Sequence, residues 1–315
     1  MVEASGNRVA HAPLAGDATL TTVTGAGPGP TLALLGGVHG DEDEGVLAVR
    51  RLIHDVSLLP LLGTLRAVAP ANVAAWAAHD RFSPLDGANL ARVFPGSAVD
   101  GPTAAAAAAI TDAVIRDSDA LIDLHSAGLR YRMPLMSGYC EDNTVAKRSQ
   151  QLAETFGAPV IWAHPHGAPG RSLSVAAEFG IPAFYAECSG GGSIRAWELD
   201  AYVDGVLAVM AELGMIAPRH PDSSVDPVRV SGLGDLDQGA QADESGLFVS
   251  SVRSGQVVVA GDEIGRCHAY DGEFRRLVEA PNDGMVMFLR RQARVLAGDV
   301  LFVLAQVDDA PAGQR

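Results

Sequence analysis

The stretch Leu34-Leu35-Gly36-Gly37-Val38-His39-Gly40-Asp41-Glu42 sets a histidine and a glutamate at the spacing His-x-x-Glu, directly after an apolar run that stops at two glycines. The run Leu32 to Leu35 reads as a buried strand ending in a turn. The acidic segment that follows, Glu42 to Val56, reads as a helix. Two potential ligands therefore stand where a strand hands over to a helix, and open α/β sheets bind ligands at the carboxyl ends of their strands. One imidazole and one carboxylate suit zinc, and a third protein ligand would leave one position for water. The spacing alone is a weak signal; its weight comes from what else converges.

The best third ligand is His125, in Ala120-Leu121-Ile122-Asp123-Leu124-His125-Ser126-Ala127-Gly128, again an apolar run ending in a glycine-containing loop. A core histidine bonded to backbone is the competing reading. Asp123, two residues earlier, shares a strand face with His125 and can orient it, or can be a solvated strand-end carboxylate. A third such place is Ile181-Pro182-Ala183-Phe184-Tyr185-Ala186-Glu187-Cys188-Ser189, before Gly190-Gly191-Gly192. Glu187 can act as a general base tuned by burial beside a metal; the alternative is a surface turn, which the apolar run before it disfavours. Cys188 has no partner base in the sequence and reads as a small buried residue. Between the first two ligand segments, Arg81 and Arg92 lie in a loop-rich stretch, Pro70 to Gly96, and arginine binds carboxylates through two parallel hydrogen bonds.

These residues resemble a known group. His39-x-x-Glu42, Asn89-Leu90-Ala91-Arg92-x-Phe94-Pro95-Gly96, Asp123-Leu124-His125-Ser126 and Glu187-x-x-Gly190-Gly191 occur in the order of the succinylglutamate desuccinylase/aspartoacylase family, related to the zinc carboxypeptidases. The likeness is dense over the first two thirds of the chain and nearest to the family's N-acetyl-diaminobutyrate deacetylase-like branch. It implies a zinc-dependent amidohydrolase removing an acyl group, acetyl by preference, from a small N-acylated amino acid or related amine, with one zinc ion per chain. It also implies that His39, Glu42 and His125 hold the metal, that Glu187 is the general base and acid, that Arg81 polarises the scissile carbonyl, and that Arg92 pairs with a substrate carboxylate. One position departs: the family's Asn-Arg is here Ala91-Arg92. Either Asn89 or another residue compensates, or the substrate differs at that end. Arg130 and Arg171 are further candidates for substrate contact, with ordinary loop arginines as the alternative for both. A carboxypeptidase-like peptidase or an esterase on the same zinc site is the second reading of function, and a non-catalytic binding protein the third.

The elements that must position these groups alternate. Helical spacing runs over Glu44 to Val56, Thr103 to Ser118, Asn143 to Phe156 and Trp197 to Leu213, and strand patterns over Thr31 to Leu35, Thr64 to Val68, Ala120 to Leu124, Pro159 to Trp162 and Ala183 to Ala186. The expectation is an α/β fold, a mainly parallel mixed sheet flanked by helices. A proline-rich polar stretch, Ile216 to Pro227, reads as a linker between a catalytic domain (1–216) and a small β domain (228–315). The latter repeats Ala-Gly-Asp before a strand at Ala260 and Ala297 and resembles a lipoyl-type barrel. A carrier role would need a lysine there, and the chain's only lysine is Lys147; capping of the cleft or oligomerisation is expected instead. A formal net charge of −15 disfavours nucleic acid and anionic membranes as partners. Three scattered cysteines (Cys140, Cys188, Cys267) make no disulfide framework, and Met1 to Gly6 show no secretion signal, so a cytoplasmic location and a small acylated substrate are expected. His164-Pro165-His166 reads as a polar loop near the sheet's carboxyl edge, with a metal or substrate role kept open.

Overall fold

A computed structural model describes residues 6–219, 226–234, 236 and 239–308. Part of the expected linker, 220–225, lies outside the described residues. In chain order the N-terminal part comprises β1 (Arg8–Pro13), β2 (Thr19–Thr24), β3 (Gly27–Gly36), α1 (Asp43–Leu58), β4 (Leu62–Val68), α2 (Val73–Ala78), α3 (Pro102–Ile110), β5 (Ala120–Ser126), β6 (Tyr131–Arg132), β7 (Met136–Cys140), α4 (Ala146–Thr155), β8 (Val160–His164), α5 (Ser172–Glu178), β9 (Ala183–Cys188) and α6 (Ala196–Glu212). The C-terminal part adds β10 (Val228–Ser231), β11 (Ala240–Gln241), β12 (Gly246–Ser250), β13 (Val257–Val258), β14 (Glu263–His268), β15 (Phe274–Glu279), β16 (Gly284–Arg290), β17 (Arg294–Val295) and β18 (Val300–Val307).

The main sheet runs β1-β2-β4-β3-β5-β9-β7-β8-β10-β18-β16-β13. Its centre is parallel (β4, β3, β5, β9), with β7 inserted antiparallel to β9 and parallel to β8. The fold is thus the mixed α/β sheet expected, with additions: the N-terminal hairpin β1–β2, the strands β6 and β7 and the short helices α2 and α5. These are short, or broken by Gly138, and carry little period of their own. The expected helix Thr103 to Ser118 is α3 followed by a wider π-type turn, Thr111–Ile115, where the N–H of Arg116 reaches back to Thr111 O.

Leu32 and Leu34 of β3 pack with α1, α4 and α6 on one face of the sheet, while Ala33 and Leu35 pack with α3 and α5 on the other. Strands buried on both faces read as continuous apolar runs, which is why β3 and β5 were legible. No helix among the described residues is long and apolar enough to cross a membrane.

The C-terminal stretch continues the main sheet through hydrogen bonds. β10 pairs parallel with β8 and antiparallel with β18. A second sheet, β15-β14-β12-β17, packs on the end of the first over Phe248, Ile264, Val286, Leu301 and Phe302. The repeat seen in the sequence has a structural counterpart. β13 joins the main sheet and its successor β14 the small one, whereas β17 joins the small sheet and its successor β18 the main one.

Candidate active site and metal centre

The N-terminus of α1 sits on the carboxyl ends of β3 and β5 because glycines allow it. A Cβ at Gly36 would lie 2.5 Å from Gly45 O, and one at Gly45 would lie 2.5 Å from Leu124 O. Neither approach tolerates a side chain. The loop between Gly36 and α1 is thereby held against the end of β5, so that His39 and Glu42 meet His125 across 86 and 83 positions of sequence.

The three side chains form a buried cluster. His39 Nδ1 is 2.7 Å from Glu42 Oε1, His125 Nδ1 is 2.9 Å from Glu42 Oε2, and the two Nδ1 atoms are 3.3 Å apart. Ligands about 2.0–2.1 Å from a tetrahedral ion stand about 3.3 Å from one another, so the set fits a zinc-sized cation. Among the described residues, no other group of three or more His, Cys, Asp or Glu gathers in this way. The backbone and neighbours hold the cluster in place. Asp123 Oδ1 lies 3.1 Å from His125 Nε2, which leaves Nδ1 facing the cluster. Ser172 Oγ donates to the other Asp123 oxygen, and Tyr202 OH donates to His125 O at 2.6 Å. Burial lowers the pKa of His39 to about 4, and Arg81 reinforces the effect. His125 is buried too, yet the carboxylates of Asp123 and Glu42 hold its pKa well above the usual histidine range. Burial likewise opposes ionisation of Glu42, but His39 and His125 hold its carboxyl far below the usual range.

Glu187 lies next to this cluster. It is the register partner of His125 across β5 and β9. Its Oε2 is buried with no hydrogen-bond partner. Burial, and after it the Glu42 carboxylate, push its pKa up to about 8. Arg81, just past α2, brings Nη1 to 3.2 Å from Glu42 Oε1.

These groups open onto a cavity of about 150 Å³. His39, Arg81, Ala91, Arg92, His125, Arg171 and Glu187 line it, and the C-terminal part contributes Leu233, Gly234, Leu236 and Phe288. The guanidiniums of Arg92 and Arg171 both donate to Ala91 O, at 3.2 and 3.4 Å, so the two arginines converge on one wall. Two expected substrate contacts are placed elsewhere. Asn89 Oδ1 accepts from Ala91 N–H at 2.9 Å, capping the turn that carries Arg92, and Asn89 is not among the residues lining the cavity. Arg130 is exposed and also outside the lining; its carbonyl accepts from Arg291 N–H. The sequence pattern singles out neither Tyr185 nor Ser172 and keeps His164 open, yet all three line the cavity. Tyr185 was detectable, since it shares a strand face with Glu187 two residues on.

Residues 28–213 match the model of the succinylglutamate desuccinylase/aspartoacylase catalytic domain. The chain belongs to this family. It is therefore an amide hydrolase of the deacylase kind. It is 30% identical over 296 residues to the N-alpha-acetyl-L-2,4-diaminobutyric acid deacetylase of Halomonas elongata, covering 91% of this chain and 85% of that protein. Among solved structures it is similar to the product-bound ectoine utilization protein EutE (DoeB) of Ruegeria pomeroyi, with a TM-score of 0.84, 26% identity, and 91% and 88% of the two chains covered. A succinylglutamate desuccinylase/aspartoacylase from Rhodobacter sphaeroides superposes with a TM-score of 0.83 at 26% identity, over 96% and 95% of the chains. Against the family's Asn-Arg, this chain presents Ala91 to the cavity, buried beside Arg92.

Proposed function

We propose that the protein is a zinc-dependent deacetylase acting on a small N-acetylated amino acid. The observation that carries this reading is the convergence of His39, Glu42 and His125 in a zinc-sized cluster with Glu187, whose buried Oε2 has no hydrogen-bond partner, directly alongside. The likeness to a deacetylase of N-alpha-acetyl-L-2,4-diaminobutyric acid supports acetyl over larger acyl groups.

In this reading His39, Glu42 and His125 hold one zinc ion, with Asp123 orienting His125 from behind. When bound, zinc brings the pKa of water to about 7 and polarises a carbonyl. Glu187 receives the proton of the attacking water and delivers it to the departing amine; a carboxyl whose pKa lies near neutrality suits both transfers. Arg81 adds a fixed positive charge where the carbonyl oxygen gains negative charge, an effect worth about 3–4 kcal/mol for a well-placed donor. Arg92 and Arg171 hold the substrate carboxylate. The test is acetate release from N-acetyl amino acids by zinc-loaded protein, with a chelated control and with N-acyl peptides as comparison. Faster release from peptides than from acetylated amino acids would overturn the reading.

A further inference from the structure

A second cleft lies where the C-terminal part meets the N-terminal part. It encloses about 900 Å³ and shares no lining residue with the active-site cavity. Five arginines line it: Arg132 on β6, Arg195 just before α6, Arg253 after β12, and Arg290 and Arg291 at the end of β16. In a chain with a net charge of −15, this is a local reversal of sign. The one carboxylate in the lining, that of Glu198, is already bound within the protein. Arg195 Nη1 lies 3.2 Å from its Oε2, and Ser189 N–H donates to its Oε1 at 3.0 Å.

The remaining arginines are not neutralised to the same degree. Arg290, its side chain 4% exposed, holds Asp299 at 2.8 Å, yet its buried Nε has no hydrogen-bond partner. Arg132, Arg253 and Arg291 have no carboxylate partner among the described residues. Two of these are crowded together over a glycine. Arg132 Cζ stands 3.9 Å, and Arg291 Nε 3.2 Å, from the point that a Cβ of Gly191 would occupy. Like charges at such range repel unless an anion joins them. The cleft also receives a helix end. No side chain caps α6, and the N–H groups of Ala196 and Trp197 in its first turn have no acceptor among the described residues. Free N–H groups at a helix start and guanidinium forks both suit phosphate oxygens.

We propose that this cleft binds a small molecule bearing a diphosphate group, held by Arg132, Arg253 and Arg291 together with the N-terminus of α6. A single phosphate group carries about −1.5 to −2 near pH 7, so three unpaired guanidiniums exceed what one phosphate neutralises and suit two in series. A cleft of this size also has room for an organic group beyond the phosphates. Trp197 lines it and is 58% exposed, which offers that group an aromatic side chain.

The test is calorimetric titration of the full zinc-loaded chain with inorganic pyrophosphate, ADP and citrate. Pyrophosphate and ADP should each bind more tightly than citrate, a tricarboxylate of similar charge. Arg132→Gln combined with Arg291→Gln should weaken pyrophosphate by about tenfold or more, since hydrogen bonds to a charged group are lost. Arg253→Gln, on a separate loop, should weaken it independently. All three arginines are exposed, so the core survives their replacement. Diphosphates also bind zinc, but binding at the metal would be the same in these variants, because the three arginines lie outside the active-site cavity. ADP weakened selectively by Trp197→Ala would identify a nucleotide as the ligand; ADP and pyrophosphate both unmoved by it would identify the diphosphate alone, and either result supports the site. Equal affinity in the wild type and the arginine variants would overturn the proposal. So would the absence of pyrophosphate and ADP binding, or citrate binding as tightly as pyrophosphate.

Discussion

Glu187 stands directly opposite His125 in the β5–β9 register. Two neighbouring parallel strands thereby set the proposed general base beside a proposed metal ligand, with no loop needed to bring them together. The geometry is as rigid as the sheet itself. Glu187→Gln keeps the shape and removes the proton acceptor. It should lower kcat by about 10²–10⁴-fold while zinc, measured per chain by atomic emission, stays bound. Near-normal turnover in this variant would show that another group moves the proton.

Asp123 touches no substrate in this account and acts through His125. Asp123→Asn removes the negative charge 3.1 Å from His125 Nε2 and weakens the anchor to Ser172. Partners of this kind typically contribute 10–100-fold to metal affinity. Competition with a zinc-binding dye should therefore show a loss of about 10–100-fold. Unchanged affinity would make Asp123 a purely structural strand-end residue.

His164 makes the fold acid-sensitive. Its pKa is about 4 in the folded chain, against 6.5 for a solvated histidine, so between these values the unfolded chain binds the extra proton. Its contribution is present above pH 6.5 and is lost as the pH falls toward 4. By linkage the loss reaches about 2 kcal/mol at pH 5. Denaturant midpoints should drop more between pH 7.5 and pH 5 in the wild type than in His164→Phe; equal drops would contradict this.

The parallel core was legible because β3 and β5 are buried on both faces and read as unbroken apolar runs. His39, Glu42, His125 and Glu187 were legible for a related reason, each lying just past such a run. What escaped depends on partners distant in sequence. β7 has a glycine at its centre because the Tyr185 ring crosses it, and that contact is invisible along the chain. Asn89 has the side chain expected of a substrate contact, but it sits before a short turn whose N–H groups compete for the same oxygen. Arg130 follows the His125 loop in sequence, yet its chain direction carries it out to solvent.

The most direct test is acetate release from a panel of N-acetyl amino acids by zinc-loaded protein, repeated after chelation and after zinc is restored. The account predicts release that vanishes with the chelator and returns with the metal. One zinc bound per chain with no release from any panel member would contradict it.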